Sequence, residues 1–180
     1  MKQLNRKETL INSLCGILHR AHGAEEPKHI QKYVEVTSTA QRSDSPAQGI
    51  NLCFLNDISQ AGIYPLQTPE DVARLIQTCE TSRLRYLAAD LTGIRNKVQL
   101  LNRLAEALEF PEYFGNNWDA LCDVLCDGAW FGDSGIVVHL KNTPLFEELS
   151  SSDWLTLNEI LKEAIDYWRA LKLPFWVFVG

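Results

Sequence analysis

FPEYFGNNWDALCDVLC, residues 110–126, describes a tight aromatic turn running directly into a short helix. Pro111 lacks an N–H and biases Phe110 away from helical angles, so a preceding helical run must end here. Gly115 is the residue expected to take the positive φ of a sharp reversal. Asn117 stands where a helix N-cap belongs, its side-chain oxygen able to accept from the orphan amides of the first turn, with residues 118–126 following as helix. Asp119 and Asp123 are four apart and therefore share one helical face, about one turn from each other.

Like charges at this spacing cost an isolated helix a few tenths of a kcal/mol. Nothing nearby in the sequence offsets them, because no Lys or Arg lies between Arg103 and Lys141. The same span carries Glu106, Glu109, Glu112, Asp127 and Asp133, which predicts an acidic surface with an aromatic rim of Tyr113, Phe114, Trp118 and Trp130. The residues alone leave two readings open. Asp119 complements the helix dipole while the other acids keep a solvated face, or the face is built to meet a basic partner.

Upstream, residues 96–110 have the apolar spacing of a helix with Leu101, Leu104, Ala105 and Leu108 inward, and LRYLAADL (84–91) is a strand. Thr68-Pro69-Glu70-Asp71 is a helix start combining a capping hydroxyl, a first-turn proline and acids, with Val72, Leu75, Ile76 and Cys79 on the buried face. GIYPL (62–66) is a short strand and INLCFL (50–55) a buried one. Residues 23–49 are polar and linker-like, and residues 4–22 form an amphipathic helix with Leu10, Ile11, Leu14, Leu18 and Ala21 on one stripe. Downstream, Gly128, Gly132 and Gly135 loosen the chain before the buried strand IVVHL (136–140). A short helix over 143–149 follows, then a long one placing Trp154, Leu157, Leu161, Ile165, Trp168 and Leu171 inward, and a terminal strand, FWVFVG. Strands separated by helices predict an α/β fold with a parallel sheet and right-handed crossovers.

At 180 residues and 46% hydrophobic, the chain has enough apolar material for one domain plus an extension. A net charge of −6 argues against direct nucleic-acid binding, which needs clustered cations. Five cysteines at 15, 53, 79, 122 and 126 have no zinc spacing, and their odd number fits reduced thiols in a cytoplasmic protein. Cys15, His19 and His22 with a loose His29 lack a metal fingerprint, so no metal or cofactor is expected. The N-terminal apolar stripe is interrupted by Glu8, Asn12 and Ser13, a poor signal peptide, and no run is long enough to span a bilayer. An acid pair without a convergent His or a phosphate loop is a thin active site, so no enzyme is expected. His139 is read as a packed or hydrogen-bonded histidine.

The string PEYFGNNWDALCDVL resembles the signature of the barstar family, small intracellular inhibitors of secreted microbial ribonucleases. The resemblance covers about residues 84–180, with weaker similarity from about Gly62. It implies three parallel strands packed with helices in a domain spanning 61–180, behind an N-terminal part (1–60) of helix, linker and added strand. It also implies a mode of action in which the turn and helix plug the nuclease active site, the two aspartates standing in for substrate phosphate. The family's turn aromatics fall on Tyr113 and Phe114, its glycine on Gly115, its capping asparagine on Asn117 and its aspartates on Asp119 and Asp123, with Trp118 between cap and acids. The sequence departs from the family at Cys122, where barstar-type chains can carry a contacting tryptophan, and at Asn116, which replaces an acid. Trp130 is the candidate for a later interface aromatic, and Glu163 or Asp166 for a peripheral acidic contact. The alternative is that the same fold and helix bind a different basic toxin or regulatory partner.

Overall fold

In the computed structural model, residues 51–180 are described. The helix expected at 4–22 and the linker at 23–49 lie outside them. Four parallel strands form one sheet in the order β1-β4-β3-β2, with β1 Ile63–Pro65, β2 Arg85–Asp90, β3 Ile136–Lys141 and β4 Phe175–Val179. The central register is continuous, pairing Leu87 with Val138 and Val138 with Val177. The sheet is one strand wider than expected, because the short β1 adds to the outer edge of β4.

The helices are α1 Pro69–Thr81, α2 Lys97–Ala107, α3 Trp118–Leu125, α4 Gly128–Phe131, α5 Thr143–Leu149 and α6 Ser151–Ala170. From β1 the chain crosses the whole sheet to β2, then returns one strand at a time through β3 to β4. Right-handed crossovers running in opposite directions place α1 on one face and the later helices on the other. The alternation of side chains along β4 shows both faces. Trp176 and Phe178 meet Phe54 and Tyr64 on the α1 side, while Phe175 meets Trp130 and Phe131 on the other. There Phe131 stacks on Trp168 of α6 with centroids 3.9 Å apart.

The strand expected over 50–55 is instead a 3-10 turn, Leu52–Asn56, begun by Asn51, whose side chain accepts from the Cys53 amide. A short apolar run does not by itself distinguish strand from buried turn. The 3-10 turn stacks Leu52 and Leu55 three apart, and both are buried. The glycine-rich stretch at 128–135 also holds more structure than expected, since Asp127 caps the single-turn helix α4. Thr68 caps α1 as predicted, accepting from the Asp71 amide at 3.1 Å, although Ile76 of the expected buried face is exposed.

His139 is buried in β3, its Nδ1 2.7 Å from the Tyr86 hydroxyl. Burial, with the nearby Lys141 ammonium, lowers its pKa from 6.5 to about 4. Between those values the unfolded chain binds a proton that the folded chain refuses, so this group's effect is a loss of stability as pH falls through that window. Urea unfolding of wild type should show a decline on the order of 2 kcal/mol from near neutrality to about pH 5 that His139→Gln lacks. Equal declines in the two proteins would acquit this histidine.

Candidate functional site

The acidic helix is positioned first by the way α2 ends. Glu109 takes φ 55°, the Phe110 amide donates to the Ala105 carbonyl at 2.9 Å, and the Glu109 amide donates to that of Glu106. This is a Schellman stop built without glycine, and a left-handed non-glycine residue costs roughly 1–2 kcal/mol. Arg85 braces it. Its guanidinium binds the Glu109 carboxylate at 2.7 Å and the Trp130 carbonyl at 3.0 Å.

The reversal itself is made by Asn116 at φ 52°, not by Gly115, whose φ is not positive. An asparagine tolerates the left-handed region better than most residues. Its amide is tied to the Asn102 side chain of α2. At Gly115 a Cβ would lie 3.3 Å from Asn117 Nδ2 and 3.4 Å from the Ala120 methyl, a close but not forbidden fit. Asn117 caps α3 as expected, its Oδ1 accepting from the Ala120 amide at 2.8 Å.

Along α3, Leu121, Val124 and Leu125 are buried against the body while Asp119 and Asp123 are both exposed. The two carboxylates therefore share the outer face, one turn apart. Tyr113 of the preceding turn is 68% exposed, its hydroxyl bonded to the Asp127 carboxylate just past the end of α3. That bond holds the phenol above its ordinary pKa. Phe114 is half-buried against Phe110, with centroids 5.0 Å apart. Trp118 lies under the Lys97 ammonium of α2, 5.1 Å from the ring centroid, so a cation does border the acidic helix.

Trp130, expected on the aromatic rim, belongs to the interior, and so does Cys122. Trp130 is only 6% exposed, because its indole N–H satisfies the Leu108 carbonyl at the end of α2 at 2.8 Å and its ring meets Phe110 and Phe175. Cys122 is 7% exposed, facing α6, where its Sγ lies 3.7 Å from a Glu163 carboxylate oxygen. Hydrogen bonding to Cys126, burial and the Glu163 charge keep this thiol far above the usual range, hence neutral. Burial in turn raises the Glu163 carboxyl. Asp166 is exposed and paired with Arg169 at 2.7 Å. The four described cysteines are free thiols, and no cluster of metal-ligating side chains occurs among the described residues.

Lys97, Asn102 and Arg85, which frame this surface, had no signal in the sequence around 110–126. Each reaches it from another element. The surface has no convergent nucleophile and base; it offers two carboxylates on a braced helix and an exposed phenol on the turn before it, an arrangement suited to binding cations.

The family model of Barstar (barnase inhibitor) matches residues 84–180, just over half of the chain. The chain belongs to the barstar family. No curated protein matches it. Barstar-family proteins are inhibitors rather than enzymes, with ribonucleases as partners. The matched barstar region starts one residue before β2, so β1 and α1 lie outside it, yet β1 joins its sheet.

The barstar helix depends on its cap. Asn117→Ala should lower unfolding stability by about 1 kcal/mol, read from the urea midpoint, whereas Asn117→Ser should restore most of it. A neutral alanine variant would mean that the cap contributes little to holding α3.

Proposed function

We propose that this chain is a stoichiometric inhibitor of a basic microbial ribonuclease, acting in the cytoplasm of the cell that makes the nuclease. The observation that carries this reading is the pair of exposed carboxylates, Asp119 and Asp123, on a capped helix in a barstar-family chain. Asp123 enters the pocket that holds substrate phosphate, Asp119 pairs with a basic group at its rim, and the turn from Tyr113 to Asn117 covers the entrance. Trp118 lies at the edge of this contact. Glu163, which faces Cys122 of α3, is placed to extend it. Cys122 and Trp130 support the surface from beneath.

Inhibition is by occlusion and charge, with no turnover. The net charge of −6 favours rapid encounter with a cationic enzyme, and added salt slows it. Among the described residues no helix is long and apolar enough to cross a membrane, and the described cysteines are thiols, both compatible with a cytoplasmic site of action.

A second reading retains the helix and changes the partner. Cys122 is buried and Asn116 is held by Asn102, so two positions that differ from the family pattern offer a partner little of what the family offers there. A nuclease of another architecture, or another basic protein, would then be the target.

Calorimetry against a panel of small basic ribonucleases, with RNA-cleavage assays, tests the proposal. Wild type is expected to inhibit one-to-one. Asp123→Ala should weaken binding by about 2–5 kcal/mol or more by leaving buried cations unpaired, a scale that draws on barnase–barstar measurements rather than on this chain. Unchanged inhibition by Asp123→Ala would overturn the mechanism. Tight binding to a different basic protein with RNA cleavage intact would favour the second reading.

A further inference from the structure

A cleft of about 340 Å³ opens at the carboxyl ends of β1, β4 and β3, bounded by Leu66, Val72, His139, Lys141, Asn142 and the Gly180 backbone. It shares no residue with the acidic helix or its turn. Its position follows from the topology. The chain leaves β1 for α1 on one face of the sheet and leaves β3 towards helices on the other, with the end of β4 between them. In open parallel sheets, ligand crevices form where neighbouring connections part in this way.

We infer that this cleft binds a small organic carboxylate, with Lys141 pairing its charge and Leu66 and Val72 packing its apolar body. Lys141 is half-buried, lines the cleft and forms no ion pair among the described residues. Asn142 beside it is fixed in the left-handed region at φ 57°, its amide donating to Asp90 at 2.9 Å. Two residues before Lys141, on the same side of β3, His139 contributes to the wall. The Tyr86 hydroxyl engages its Nδ1 at 2.7 Å, so Nε2 is the ring nitrogen that this bond leaves over. Glu70 and Asp71 in the first turn of α1 do not line the cleft. The volume falls in the range of small-molecule sites, and a mostly apolar wall with a few polar groups is how such sites are built. One wall, Leu66 to Val72, comes from outside the family-matched residues, so the site belongs to this chain's extended sheet.

The test uses the full chain, 15N-labelled, titrated with sodium benzoate and separately with benzamide, its uncharged counterpart. Saturable benzoate shifts are expected at the amides of Leu66, Val72, Lys141 and Asn142, with weaker ones from benzamide. Lys141→Met should weaken benzoate about tenfold or more, the scale of a charged hydrogen bond, with the remaining spectrum unchanged. Val72→Trp, which fills the cleft from the α1 side, should abolish both titrations. Absence of saturable shifts at millimolar benzoate overturns the inference, as does equal binding of the two probes or of wild type and Lys141→Met.

Discussion

A parallel sheet whose central strands are buried on both sides must be covered on both faces, and that requirement organises this molecule. In β3 and β4 nearly every side chain is buried, polar His139 included. Their backbone groups are paired by the ladder, but the apolar side chains above and below need helices to exclude water. The wide crossover from β1 to β2 and the stepwise return supply helices to both faces. The 3-10 turn at Leu52–Asn56 adds Phe54 to the α1 side, where α1 is the one helix among the described residues.

The acidic surface is a by-product of the same cover. Helix α3 is only eight residues long and would not persist in isolation. It is held because Leu121, Val124 and Leu125 pack inward and because Trp168 of α6 donates to the Leu125 carbonyl at 2.7 Å, satisfying an orphan group at the helix end. Trp130 does the same for α2 at Leu108. Two tryptophans thus tie helix ends to the core. The short helix can then carry two like charges on its outer face, since their repulsion is small beside this burial.

Much of the candidate surface was legible from the residues themselves. The Asn117 cap and the shared face of Asp119 and Asp123 are local geometry, decided within about one helical turn. Trp130 was not legible as a core residue, because its hydrogen-bond acceptor, Leu108, lies 22 positions away. Nor was Lys97 over Trp118, a contact made by two helices brought side by side. The Asn116 reversal escaped for a different reason: glycine is the expected left-handed residue, and here its neighbour takes that role.

By itself, then, the sequence determined where apolar periodicity begins and that Thr68 and Asn117 cap their helices, because these depend on neighbours within a few residues, while the alternation of strands with helices pointed to a parallel α/β sheet. Only tertiary structure decided the helix ends. Arg83, Glu109 and Lys172 all adopt positive φ after α1, α2 and α6, where local rules expect glycine. In each case a following amide closes onto the last turn, Leu84 to Cys79, Phe110 to Ala105 and Leu173 to Trp168. The local strain is accepted because the chain must reverse at once into its next element, β2, the aromatic turn or β4, and the packing this gains is worth more than the left-handed residue costs.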